Sequence, residues 1–122
     1  MAGGYNTTGY RNGDGVLVAQ GQTAVTQATS KSTGVTINKL CGQITTSNAA
    51  LAAAAEVSFT VTNSAVAATD VIQICQKSGT DKYIVMVTAV AAGSFQVTFA
   101  TFSGTTTEQP VFNFAVIKGV AA

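Results

Sequence analysis

The sequence predicts an all-β protein, an antiparallel β-sandwich of about eight strands with a jelly-roll-like arrangement. Short runs of β-branched and aromatic residues recur along the chain, and Gly, Asn and Ser separate them at regular spacing. No stretch combines the length and the apolar stripe of a stable long helix. The 122 residues are enough for one domain with its own core. We place that domain at 15–119, between an N-terminal arm over 1–14 and a short C-terminal tail over 120–122.

The arm is expected to be flexible or to depend on a partner for its structure. It is rich in Gly and Asn, which have low β-propensity, and it has almost no aliphatic side chains. Tyr5, Tyr10 and Arg11 are residue types that often anchor protein interfaces. The arm is therefore either a binding segment or a disordered tail.

The first four predicted strands are short runs rich in Val, Thr and Ile, separated by Gly and polar residues. They cover 15–20, 23–29, 34–38 and 42–47. The next segment, 47–56, is the only helix candidate, because Ser47 or Asn48 can cap its run of alanines. A helix of this length is marginal, so a single turn or an extended loop is equally expected.

The next four predicted strands include the clearest alternation in the chain, and they cover 57–64, 70–76, 83–90 and 95–102. Phe59 and Val61 alternate with Ser and Thr, which predicts a half-buried strand. The strand 83–90 is apolar on both faces and is expected to be covered on both sides. A Gly-containing turn at 91–94 connects it to the following strand, which predicts a hairpin.

The last predicted strand, 111–119, also has two apolar faces. One face is expected to fill the core and carries Phe112, Phe114 and Val116. The other face carries Val111, Ala115 and Ile117. Either the strand is central in a curled sheet, or this second face is a subunit interface. We favour the interface, because an apolar patch is rarely left open and a sandwich of this length has little chain left to cover one.

The charge content argues against several classes of function. Charged residues make up 9% of the chain and the net charge is +1, so we expect no electrostatic binding of nucleic acid or of an anionic membrane. There is no His, which excludes His-dependent nucleophilic catalysis and His metal ligands. The acidic residues are scattered along the chain, so no carboxylate pair or calcium loop is expected. We expect no enzyme, no cofactor and no metal site, because a hydrolase with a Ser or Thr nucleophile would lack an evident base.

The chain is expected to be made in a cytosol and to cross no membrane. Its first residues lack the basic and apolar regions of a secretory signal, and its apolar runs are too short for a membrane span. Cys41 and Cys75 are then expected to be two reduced, buried thiols, although a disulfide is possible in principle.

Three stretches, 30–72, 89–102 and 113–119, resemble a β-rich module of tailed-bacteriophage structural proteins. Their most specific parts read VSFTVTNSAVAATDV, AVAAGSFQV and NFAVIKG. The chain is similar to small capsid decoration (cement) proteins, and to domains that end head-fibre or tail proteins. The resemblance implies a jelly-roll β-sandwich, usually trimeric, and it supplies no catalytic motif. Cys41 and Cys75 depart from the pattern of the module.

The resemblance implies a structural virion protein that is made in the host bacterial cytoplasm and binds the outer surface of the phage head. Its expected partners are the major capsid protein and two further copies of itself, in a homotrimer that stabilises contacts between capsid proteins. Tethering three weak sites would raise the apparent affinity. The arm with Tyr5, Tyr10 and Arg11 is the expected capsid contact. The alternative is a head-fibre or tail component that binds host glycans, with Tyr83 and the loop 77–82 as its candidate cluster.

Overall fold

A computed structural model of the chain describes residues 22–119, which form two four-stranded sheets packed as a sandwich. Sheet I has the strand order β1-β3-β8-β5, and sheet II has the order β2-β4-β7-β6. The strands are β1 Thr23–Thr26, β2 Val35–Thr36, β3 Cys41–Thr45, β4 Glu56–Thr62, β5 Val71–Ser78, β6 Tyr83–Ala91, β7 Ser94–Thr101 and β8 Val111–Ile117. The predicted all-β sandwich of eight strands is confirmed. The predicted strand 15–20, the C-terminal tail and the arm with Tyr5, Tyr10 and Arg11 lie outside the described residues.

The sheets are mixed, whereas the sequence predicted antiparallel pairing throughout. β1 pairs with β3 and β2 pairs with β4 in parallel, while the other strand pairs of the described region are antiparallel. The chain alternates between the two sheets from β1 to β6, so β1 and β3 run in the same direction, as do β2 and β4. β1 and β2, the two strands that make parallel pairs alone, each lie at a sheet edge. The strands β3 to β8 pair antiparallel with one another and form the body of the sandwich.

The core lies between the two sheets and is centred on aromatic rings. Phe99 makes edge-to-face contacts with Phe59 and Phe112, with ring centroids 6.1 Å and 5.1 Å apart. Tyr83 contacts Phe99 and Phe112 in the same way, and Phe95 packs on Phe114 at 5.3 Å. Such arrangements are favourable for aromatic pairs beyond the apolar area that they bury. The rings therefore join β4, β6 and β7 of sheet II to β8 of sheet I.

The predicted alternation is confirmed in the strands that carry it most clearly. Phe59 and Val61 of β4 are buried, and so are Phe112, Phe114 and Val116 of β8. The predicted hairpin is also confirmed, since β6 and β7 pair antiparallel around a two-residue turn.

The helix candidate 47–56 is an extended loop with no helical segment. Leu51 is buried and forms an isolated β-bridge with Thr106, with backbone hydrogen bonds of 2.8 Å and 3.0 Å. Burial of this leucine and pairing with the loop 102–110 outweigh the helix propensity of the alanines, which is small per residue. Ala54 closes the turn that follows, with a φ of 56°.

The chain closes each end of the sandwich with buried polar side chains. At the end where β8 finishes, the Asp70 carboxylate accepts hydrogen bonds from the backbone N–H groups of Ala67 and Gly119. It also forms an ion pair with Lys118, with 2.5 Å between Oδ2 and Nζ. These contacts fasten the end of β8 to the loop before β5.

Over the described range, no helix has the length and apolar character needed to span a membrane.

Candidate functional site

The predicted subunit interface lies on the solvent side of sheet I. β8 is an interior strand of this sheet, between β3 and β5, and its outer face carries Val111, Ala115 and Ile117 as predicted. Val111 and Ala115 are half-buried, and Ile117 is 41% exposed. Ile117 pairs with Val71 of β5, which is 53% exposed. The structure therefore brings these apolar side chains together on one surface, which we call the β8 face.

Asn113 gives the β8 face an unsatisfied polar group. Its side chain lies between Val111 and Ala115, and its Oδ1 atom is buried without a hydrogen-bond partner in the described part of the protein. The residue lines a shallow groove of about 430 Å³ that also contains Cys75 and Gln22. A buried amide oxygen without a donor is costly, so this atom is an unsatisfied acceptor within the β8 face.

The two cysteines differ in exposure, so the prediction of two buried thiols is wrong for Cys75. Cys41 is buried, whereas Cys75 is exposed, and the two sulfurs are not bonded to each other. Both lie on the outer side of sheet I, where Cys41 pairs with Ala115 and Cys75 with Asn113. Burial raises the pKa of the Cys41 thiol. The prediction failed because Cys75 alternates outward from a strand whose inward residues are isoleucines.

The outer face of sheet II carries a second exposed apolar patch. β6 was expected to be covered on both sides, but within the described chain only its inner face packs on the core. On its outer face, Ile84 is 44% exposed and Met86 is 47% exposed. They line a groove of about 420 Å³ together with Ala100 of β7 and Glu56 of β4. The expectation failed for the single chain because β6 is an edge strand of its sheet.

Hydroxyl groups form a connected chain across the same face. Ser58 and Thr98 share a hydrogen bond of 2.7 Å, and Thr98 and Thr88 share one of 2.8 Å. Thr88 then donates to the side-chain oxygen of Gln96 at 3.0 Å. The polar groups beside the apolar patch are thus partly satisfied within the sheet, which lowers the cost of removing water from them.

The candidate glycan-binding cluster around Tyr83 does not form an exposed platform. Tyr83 is buried against Phe99 and Phe112, and its hydroxyl donates to Glu108 at 2.8 Å. The loop after β5 is held by the same carboxylate, which accepts the backbone N–H groups of Thr80 and Asp81 at 2.8 Å each. The Tyr83 ring is buried and its hydroxyl is hydrogen-bonded, so it has no free surface on which a sugar could stack.

The Glu108 carboxylate and its hydrogen bonds affect the pKa values of both Glu108 and Tyr83. Burial alone would raise the pKa of its carboxyl, but the hydrogen bonds from the Thr80 backbone, the Tyr83 hydroxyl and the Asp81 backbone outweigh burial and hold the pKa below its usual value. Burial, reinforced by this carboxylate, raises the pKa of the Tyr83 hydroxyl. Tyr83 is therefore a permanent hydrogen-bond donor rather than an acid–base group.

Two buried polar side chains beside this cluster were missed by the sequence analysis. Lys31 is buried and donates from Nζ to the carbonyl oxygens of Ser47 and of Glu108, and burial lowers the pKa of its ammonium against the attraction of the Glu108 carboxylate. Gln27 donates to the carbonyls of Lys31 and Thr33 and accepts the N–H of Ser47. Nothing in the local sequence distinguishes these residues from solvent-exposed ones, because their partners lie in distant loops.

The described residues hold no group of three or more Cys, Asp or Glu side chains that could bind a metal ion.

Comparison with protein-family models, with curated proteins and with solved structures gave no match. The candidate binding surfaces are the outer faces of the two sheets, which both carry apolar side chains. The outer face of sheet I also contains the unsatisfied amide oxygen of Asn113.

Proposed function

We propose that the chain is a structural virion protein, a capsid decoration protein that binds the outer surface of a phage head as a homotrimer. The observation that carries the proposal is the β8 face. It has apolar side chains on an interior strand and an amide oxygen of Asn113 that is buried without a donor. A neighbouring subunit that packs on this face would cover its apolar side chains.

The surface chemistry also supports an assembly role. A chain with 9% charged residues and a net charge of +1 has little electrostatic repulsion between copies. The pairing of β3 with β8 and of β4 with β7 is nested along the chain, as in a jelly roll, which agrees with the resemblance to decoration proteins. In this proposal the major capsid protein is the partner of the arm, through Tyr5, Tyr10 and Arg11.

The glycan-binding alternative receives less support. Its candidate ring, Tyr83, is buried, and its candidate loop is held rigidly by Glu108. Phe102 is an exposed aromatic ring of the described chain, at 69%, but it is a single ring rather than a platform of several. The outer sheet faces, rather than a sugar platform, are the better candidates for binding.

Two measurements test the proposal. Mass spectrometry of purified particles should find the chain at a copy number that is a simple fraction of the number of major capsid proteins. A copy number typical of a single tail or vertex would instead favour the fibre alternative, and absence from the particle would refute the virion role.

The second measurement is sedimentation of the wild-type chain and of the variant Ile117→Lys. The lysine places a charge in the β8 face and should disrupt the trimer contact without unfolding the subunit, because residue 117 is exposed. Phe102→Lys, an equivalent change at an exposed residue away from that face, is the matched control. An Ile117→Lys chain that sediments like wild type would contradict the assignment of the interface.

A further inference from the structure

β6 is an edge strand that lacks the usual protection against pairing with another chain. It has nine residues, lies at the edge of sheet II and pairs with β7 as its only strand partner within residues 22–119. At its first residue the Tyr83 N–H donates to the Gln76 side chain of β5 at 3.1 Å, so the open edge begins at Ile84. From Tyr83 to Ala91 it contains no charged residue and no proline. Natural edge strands are normally interrupted by such residues, because their free N–H and C=O groups are a template for pairing.

The neighbouring edge strand shows the contrast. β5 packs beside β6 and is the edge of sheet I, but Lys77 projects from it, and a bulge between Gln76 and Ser78 disrupts its end. These are two devices that prevent edge-to-edge pairing. β6 has a bulge only in its second half, between Val87 and Ala89, which leaves a regular stretch over 83–87.

The exposed side chains of that regular stretch are apolar. Ile84 and Met86 point to the outer face, where they are 44% and 47% exposed. The polar groups next to them, Thr88 and Thr98, already hydrogen-bond to each other. A partner that covers this patch therefore removes apolar surface from water at a small polar cost. The nearest charge in the groove is Glu56, at its margin on β4.

We infer that β6 is a contact between two copies of this chain, which pair antiparallel through residues 84–86 about a two-fold axis at Val85. Antiparallel pairing about Val85 places Ile84 of one copy opposite Met86 of the other, on the same side of the joined sheet. The two copies then form one apolar patch from four side chains, and no like charges face each other. The strand is its own complement, which is what an isologous contact requires.

A second copy fits this edge better than an unrelated segment does. A bound peptide strand would satisfy the backbone groups but would need apolar residues at alternate positions to cover Ile84 and Met86. β6 itself has that pattern in the required register. The near-neutral chain also imposes little repulsion between copies.

This contact is separate from the proposed trimer interface, since β6 lies in sheet II and the β8 face lies in sheet I. It does not rest on the proposed function. A two-fold contact makes the number of copies even, so in solution trimers formed through the β8 face would pair into hexamers, which would have to separate into trimers to bind the head as proposed.

The mass of the assembly in solution tests the inference by analytical ultracentrifugation. The wild-type chain should form an even-numbered oligomer, and Met86→Lys and Ile84→Lys should each halve its mass. Association through β6 should weaken by roughly tenfold or more, because each contact would bring two ammonium groups close together among the apolar side chains of the facing strands. Phe102→Lys should sediment like wild type. An unchanged mass for both β6 variants, or a wild-type monomer or trimer, would overturn the inference.

Disulfide trapping tests the register. In a Cys75→Ser background, the variants Ile84→Cys and Met86→Cys are prepared separately and then mixed. Cross-linked dimers should form in the mixture and not in either variant alone, because the pairing places residue 84 opposite residue 86. Equal cross-linking of each variant alone, or none in the mixture, would refute the pairing. Ile117→Lys should leave this cross-link intact, so failure of the β8 interface and failure of the β6 contact give different results.

Discussion

At the scale of single residues, Glu108 shows how one carboxylate can organise a whole end of the fold. Its two oxygens accept from Thr80, Asp81 and Tyr83, while its backbone carbonyl accepts from the buried Lys31. The residue lies in the loop between β7 and β8, yet its partners lie in strand β6, in the loop between β5 and β6 and in the loop between β1 and β2. Hydrogen bonds to a charged acceptor are among the stronger ones in proteins.

The substitution Glu108→Gln should therefore destabilise the fold. The amide presents one acceptor and one donor where three donors converge, so at least one N–H or O–H loses its partner. We expect a loss of about 1.5–3 kcal/mol in the free energy of unfolding, measured by urea denaturation. Glu56→Gln, at an exposed position on the outer face of sheet II, is the matched control and should change stability little. Equal stabilities of the two variants would show that the Glu108 contacts contribute nothing.

The stability of the protein should fall at acidic pH. The pKa values of Glu108 and Asp70 are both held below their usual range, because hydrogen bonds, and for Asp70 also Lys118, outweigh the effect of burial. A carboxyl with a lowered folded-state pKa stabilises the fold above its unfolded pKa, which is about 4, and this stabilisation disappears as the pH falls through the lower folded pKa.

Urea denaturation between pH 7 and pH 2.5 measures this dependence. Stability should be level near neutral pH and should decline below about pH 4. The double variant Asp70→Asn with Glu108→Gln should be less stable at neutral pH and should have a flatter profile. A double variant with the full acid dependence of wild type would assign that dependence to other groups.

At the scale of strands, the sequence predicted which side chains face inward but, apart from the hairpin of β6 and β7, not which strands are neighbours. The alternation of Phe112, Phe114 and Val116 is local and leads directly to the inner face of β8. The pairing of β8 with β3 joins segments far apart in the chain, and no local pattern encodes it. The exposure of Ile84 and Met86 was missed for this reason, because a run that is apolar on both faces does not reveal that its strand lies at an edge.

The substitution Gly42→Ala should test the tight packing of β3 against the core. A Cβ atom at this position would lie 2.9 Å from Cε1 of the Phe114 ring and closer still to the Ile37 side chain. Overpacking of this kind costs about 1–3 kcal/mol, which a urea titration would detect as a lower midpoint.

Gly104→Ala provides the comparison, because a Cβ atom there meets nothing within 4 Å. It should leave the midpoint within error of wild type. If Gly42→Ala were equally neutral, Ile37 and Phe114 would have to repack freely, and the core would be looser than the structure indicates.

At the scale of the whole molecule, the sandwich presents different surfaces on its two sides. Sheet I carries the apolar β8 face with Asn113, and sheet II carries the hydroxyl chain beside Ile84 and Met86. The composition predicted a weakly charged surface and an assembly role, and the apolar second face of the last strand was located correctly. The positions of the polar clusters at the two ends required the three-dimensional structure, because Lys31 and Glu108 are far apart in the chain.

The different exposure of the two thiols offers a probe of assembly. Cys75 should react quickly with a thiol reagent in the native chain, whereas Cys41, which is buried and has a raised pKa, should react only after unfolding. Cys75 lies beside Asn113, so a subunit on the β8 face should slow its reaction. The labelling rate of wild type is compared with that of Ile117→Lys by mass spectrometry. Fast labelling of Cys75 in both would place the interface elsewhere.

The nested pairing of β3 with β8 has a consequence for synthesis on the ribosome. β8 is the last of the described strands to be made, yet sheet I needs it to join β3 to β5. A nascent chain that ends before residue 111 therefore has a sheet divided in two. Only the hairpin of β6 and β7 is built from adjacent strands, and such local pairs form fastest. We therefore expect the sandwich to be completed only once residues 111–117 have left the ribosome, with the uncharged edge of β6 available to other nascent copies during that delay.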